Sequence, residues 1–102
     1  MKRPLEIRAE ASRHIAEAFS WYEARRQGLG WTFRDKLDNA FKLLQEHAEA
    51  GPEVYRGLRR VLVDHFPYAV YYSLPKSAIA IRAVLHTRRR PRQLRTPGAR
   101  EA

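Results

Sequence analysis

Seven side chains in the second half of the chain are of the types that phosphodiester chemistry uses: Arg59, Arg60, Tyr68, Tyr71, Arg82, His86 and Arg88. RNA is cleaved without a metal when a base takes the ribose 2′-hydroxyl proton, cations hold the charge of the phosphorane and an acid protonates the leaving oxygen. Histidine is the one side-chain type in this set that ordinarily titrates near neutrality, so His86 would carry the proton transfer. Tyrosines packed into a sheet beside solvated arginines account for the same residues, and the sequence alone leaves both readings open.

Other chemistries find less support. His14, His47, His65 and His86 make no pair four residues apart on one helix, and no cysteine assists them, so no metal site is expected. Gly28 and Gly30 lack the lysine and serine or threonine of a phosphate loop. Neither a nucleophile elbow nor a paired-carboxylate pattern is present, and no cofactor is expected. Absence of cysteine also removes a disulfide scaffold and a thiol nucleophile.

These residues need elements to position them. Leu5, Ile7 and Ala9 alternate with Glu6 and Arg8, which predicts a short half-buried strand over 4–9. From Glu10 to Arg26 the spacing turns helical, with Ala11, Ile15, Ala18 and Tyr22 on one stripe and Phe19 beside it. The run Gln27-Gly28-Leu29-Gly30 stops that helix. A second helix is expected from near Thr32, capped by its hydroxyl, with Phe33, Leu37, Ala40, Phe41 and Leu44 on its buried face and Ala50-Gly51-Pro52 at its end. So short a linker makes the two helices an antiparallel hairpin.

Three strands follow, over 59–64, 68–74 and 78–86. In the last, Ile79, Ile81, Ala83 and Leu85 are expected on the core side, with Arg82 and His86 on the opposite face beside Tyr71. The order is β-α-α-β-β-β: an α+β fold with a helical hairpin packed on one face of an antiparallel sheet. Residues 1–91 form the expected domain, and 92–102 a basic tail without a packed core.

Charge is unevenly spread along the 102 residues. Residues 1–50 hold nine basic and eight acidic groups, whereas 51–102 hold eleven against three, for a net +9 in the whole chain. Arginine outnumbers lysine 16 to 4, and its planar fork suits phosphate or carboxylate. An anionic partner is implied, either nucleic acid or an acidic protein. Apolar runs far shorter than the roughly 20 residues of a membrane span, and an N-terminus without an apolar leader, predict a cytoplasmic protein with no membrane partner. Phe19, Trp21, Tyr22, Trp31 and Phe33 are many rings for a hairpin with one buried stripe, so part of them should line an apolar groove for a partner segment.

The chain resembles the RelE/ParE toxins of bacterial type II toxin–antitoxin modules, and within them the ParE-like plasmid stabilisation proteins. The matching stretches run in order from Trp21-Tyr22-Glu23, Gly28-Leu29-Gly30 and Phe33 to Val54-Tyr55-Arg56-Gly57 with Arg59-Arg60. They continue through His65-Phe66-Pro67-Tyr68 and Tyr71-Tyr72 to Ala83-Val84-Leu85-His86 and Arg88-Arg89-Arg90-Pro91. The resemblance implies a toxin neutralised by a cognate antitoxin in a hetero-oligomer, with Phe19, Trp21 and Trp31 as antitoxin contacts. ParE-like members poison DNA gyrase and have no known chemistry of their own; Tyr68, Arg88, Arg89 and Arg90 would then contact the target. RelE-like members cleave messenger RNA on the ribosome, and Arg59, Arg60, Arg82 and His86 would be the catalytic set. Lys76 is the only lysine after Lys42 and no tyrosine follows Tyr72, a departure from the nuclease pattern that favours the ParE-like branch.

Overall fold

The computed structural model describes residues 3–91; the expected tail over 92–102 lies outside the described residues. The chain forms β1 (Leu5–Ile7), α1 (Ala9–Arg25), α2 (Leu29–Glu46), β2 (Glu53–Tyr55), β3 (Leu58–Leu62), β4 (Tyr68–Ser73) and β5 (Ile79–His86). The helices lie on one face of a five-stranded sheet of order β1-β5-β4-β3-β2. Both apolar stripes behave as the spacing predicts: Ala11, Ile15, Ala18 and Tyr22 of α1 and Phe33, Leu37, Ala40, Phe41 and Leu44 of α2 are all buried.

The start of α2 differs from expectation. It begins at Leu29, and the cap comes from the preceding helix: the Glu23 carboxylate accepts the Gly28 N–H at 2.8 Å and the Gly30 N–H at 2.9 Å. Two donors that a helix start leaves unpaired are satisfied at once by a negative charge at the positive end of the helix dipole. Gly28 sits at φ 90°, a conformation that favours glycine. The Thr32 hydroxyl instead donates to the Gly28 carbonyl at 3.2 Å, inside the first turn.

The sheet is mixed, not antiparallel throughout, because β1 pairs in parallel with β5. The cause is β2, a three-residue strand joined to β3 by a tight turn at Arg56-Gly57. Counting reversals, a strand, two antiparallel helices and four meandering strands return β5 in the direction of β1. With one strand fewer the two would run in opposite directions.

Beyond α2, the loop 47–52 is held by two strand residues. The Tyr72 hydroxyl donates to the Ala48 carbonyl at 2.8 Å and accepts the Gly51 N–H at 3.0 Å. Arg59 donates to the Gly51 carbonyl at 2.8 Å. A side chain at Gly51 has no room, since its Cβ would run into the Arg60 carbonyl.

β5 carries the main departure in side-chain direction. Tyr71 pairs with Ala83 but Tyr72 pairs with Ile81, so Arg82 is an extra residue, a β-bulge. A bulge reverses the alternation beyond it. Ile79, Ile81 and Val84 therefore join the core under the helices, while Ala83 and Leu85 pack with Leu58, Ala69 and Tyr71 in a second cluster on the opposite face. His86 pairs with Tyr68 on the helix side, and does not share a face with Tyr71.

Candidate functional site

Among the described residues, three concave surfaces flank the sheet and hairpin. The first is a cleft of about 480 Å³ between α1 and the adjoining ends of β4 and β5, lined by His14, Glu17, Trp21, Tyr22, Tyr68, His86 and Arg89 over a floor of Ala18, Pro67 and Val84. Its rings contact one another edge to face: Trp21 and Tyr22 at 5.1 Å, Tyr22 and Tyr68 at 6.0 Å, Tyr68 and His86 at 5.5 Å. Burial raises the hydroxyl pKa of both Tyr22 and Tyr68, with Tyr68 adding to the effect on Tyr22. Both therefore stay protonated at neutral pH and can give and accept hydrogen bonds there.

His14 forms the inner wall of this cleft and is buried. Its Nδ1 accepts the Val84 N–H at 3.2 Å, tying α1 to β5. An Nδ1 acting as acceptor requires the neutral ring with its proton on Nε2, which stands 3.8 Å from Glu10. Burial lowers the His14 pKa, opposed by Glu10, and so favours that neutral form.

A second groove, of about 470 Å³, runs along the other side of α1 and is lined by Ile7, Ile15, Phe19, Trp31 and Arg34. Phe19 and Trp31 meet edge to face at 4.7 Å, with Trp31 63% exposed. The third is a smaller cationic hollow of about 270 Å³ on the opposite sheet face, with Arg60, Tyr71, Thr87, Arg89 and Arg90.

Among the suggested antitoxin contacts, Phe19 and Trp31 come together, but Trp21 does not join them. Residues two apart on a helix are separated by about 200°, and Trp21 opens onto the first cleft with the Arg25 guanidinium 4.1 Å over its ring. The four residues of the nuclease set also separate. Arg59 and Arg60 are neighbours on β3 and point to opposite faces. Arg59 is engaged with loop carbonyls, whereas Arg60 lies 5.8 Å over Tyr71 with its Nε buried and unpartnered. Arg82 is exposed at the bulge, 3.4 Å from the Ser73 hydroxyl. His86 lies about 13 Å along β5 from it, at roughly 3.3 Å per residue. Of the suggested target contacts, Tyr68 and Arg89 line the first cleft; Arg88 and Arg90 are exposed on the segment leaving β5.

Glu17 and His14 also line the first cleft; the sequence suggests no role for Glu17, and His14 is considered there only as a metal ligand. His14 carried a signal, since it falls on the Ala11–Ile15–Ala18 stripe where a polar group needs a partner.

A helical hairpin laid on a mostly antiparallel five-stranded sheet, with an arginine-rich exit from its last long strand, defines a class of small basic α+β domains. The family model for the ParE toxin of the type II toxin–antitoxin system parDE matches residues 5–91. The chain belongs to that family of toxins. Among solved structures it is similar to a chain of the chromosomal ParDE system from P. aeruginosa, at 15% identity and a TM-score of 0.73, covering 83% of this chain and 96% of that one. It is also similar to a chain of the E. coli DinJ–YafQ toxin–antitoxin complex, at 14% identity and a TM-score of 0.62, covering 86% of this chain and 96% of that one. No curated protein sequence matches it. No described helix is long and apolar enough to cross a membrane.

Proposed function

We propose that this toxin is held inactive by a cognate antitoxin and, when free, inhibits DNA gyrase instead of cleaving messenger RNA. The observation that carries the choice is the dispersal of Arg59, Arg60, Arg82 and His86 over two sheet faces, with Arg82 at the mid-strand bulge of β5 and His86 at its end. General acid–base cleavage needs base, acid and phosphate-binding cations within hydrogen-bond reach of one phosphate. Arg59 is already committed to the loop after α2, where it satisfies backbone carbonyls. Inhibition by binding needs no such convergence: it needs a surface, and Tyr68 with the exposed Arg88–Arg90 segment supplies a basic one.

For the antitoxin, the groove of Phe19 and Trp31 is the docking surface we favour. The exposed Trp31 ring and the half-buried Phe19, with Ile7 and Ile15 in the same groove, suit the apolar face of a partner helix, and the net charge of +9 suits an acidic segment around it.

The test is brief induction in a bacterial host, with plasmid DNA examined after denaturing removal of protein. Growth arrest with protein-linked double-strand breaks is the expected result. Arrest with intact DNA and cleaved messages would overturn the gyrase reading and return attention to Arg82 and His86. In the expected case, Arg82→Ala and His86→Ala each keep most of the toxicity.

A further inference from the structure

We propose that the cleft between α1 and the ends of β4 and β5 receives an unpaired base of a single-stranded nucleic acid, with Arg88 and Arg89 on its flanking phosphates. This goes beyond the gyrase reading and does not depend on it, though it draws on Tyr68, Arg88 and Arg89, so a strand and the toxin's protein target would compete for the same surface.

Four observations converge. The cleft volume, about 480 Å³, lies within the roughly 300–1,000 Å³ common for ligand sites. Trp21, Tyr22, Tyr68 and His86 line it in a chain of edge-to-face contacts; Tyr22 is stacked on Phe33 behind them, which leaves Trp21 as the ring open to a further one. Trp21 is 52% exposed, and the Arg25 guanidinium that lies over it stays outside the cleft lining. An exposed ring of that size at the mouth of an aromatic cleft is the feature that single-strand binders use, because every base has a stacking face.

Polar groups fit the same ligand. Arg89 lines the cleft, and the Arg88 N–H donates to His86 Nδ1 at 3.1 Å, which fixes the start of the arginine segment beside the rings. Glu17, whose Oε2 is held by Arg13 at 3.0 Å, places a carboxylate in the wall. A carboxylate accepts the N–H groups of a base edge, so the cleft offers a base both a stacking ring and a polar partner, with its phosphates outside near Arg88 and Arg89. A duplex keeps its bases stacked and offers none to the cleft.

The chain has two tryptophans, and they lie on opposite sides of α1, so Trp31→Phe leaves Trp21 as a lone reporter inside the site. The full-length Trp31→Phe protein is titrated with a short single-stranded DNA, the RNA of the same sequence, the DNA duplex and an acidic peptide. Saturable quenching of Trp21 by a single strand, with the duplex clearly weaker, is expected; the tighter of the DNA and RNA arms identifies which strand is the ligand. With a labelled strand followed by anisotropy, Trp21→Ala should weaken binding about tenfold. Arg89→Ala should flatten the dependence of log K on log salt by about 0.7. Both side chains are exposed, and unchanged thermal melting confirms that each variant folds. Quenching that does not saturate, affinity unchanged in both variants, equal binding of the duplex, or tighter quenching by the acidic peptide overturns the proposal.

Discussion

Replacing His14 by asparagine separates a titration from a hydrogen bond. Asparagine Oδ1 stands near the position of the histidine Nδ1 and can still accept the Val84 N–H, but it does not titrate. In the wild type, burial holds the His14 pKa below its ordinary 6.5, with Glu10 and Glu17 raising it and Arg13 and Arg89 lowering it. The other groups sharing its cleft are Tyr22, Tyr68 and His86. The unfolded chain therefore binds a proton at this residue before the folded chain does. Stability is full above pH 6.5 and falls as pH drops through 6.5 towards the folded pKa, at up to about 1.4 kcal/mol per pH unit. Protonation at Nδ1 also removes the acceptor for the Val84 N–H and sets two donors face to face. Between pH 7 and pH 5.5 the loss attributable to His14 is bounded by that slope at about 1.3 kcal/mol, and any loss within the bound appears as a lower Tm. The assay is thermal or urea unfolding of wild type and His14→Asn at half-unit steps across that range. The other titrating groups are common to both proteins, so the difference between the two curves isolates residue 14 together with its coupling to Glu10 and Glu17. Parallel curves would refute the reasoning, and would mean that the ring accepts its proton in place.

Three further outcomes follow from named contacts. Tyr72→Phe strips the hydroxyl that serves Ala48 and Gly51 and leaves a buried N–H unpaired; it should cost about 2 kcal/mol in urea unfolding and make the loop 47–52 more open to proteolysis. Glu23→Ala uncaps α2 at Gly28 and Gly30 and should lower stability by about 1 kcal/mol, with a smaller loss in Glu23→Gln, which retains one acceptor. Trp31→Ala should leave unfolding within about 0.5 kcal/mol of wild type yet weaken antitoxin binding by about 2 kcal/mol, measured by calorimetry; unchanged affinity would remove the Phe19–Trp31 groove from the interface.

Much of this protein was determined along the chain itself. Both helices are recognisable from stripes whose every member is buried, because a three- and four-residue period has one low-energy solution when one face must leave water. The three long strands lie within two residues of where their β-branched and aromatic runs place them. The family, too, follows from short motifs in order, since the match over residues 5–91 spans the same stretch.

What the chain did not determine by itself were features that depend on residues distant in sequence. Glu53–Tyr55 is too short to show a period, and its pairing with β3 is what reverses the count of strands and turns β1 parallel to β5. The α2 cap comes from Glu23, seven residues before Gly30, because the hairpin geometry brings that carboxylate back over the helix start. Above all, the bulge at Arg82 is invisible in an unbroken apolar alternation. A single extra residue between Ile81 and Ala83 carries His86 from the expected face to the helix side. It thereby disperses the nuclease set and assembles the cleft of Trp21, Tyr68 and His86. Local spacing decides which residues seek the interior; only the pairing of strands decides which face they reach.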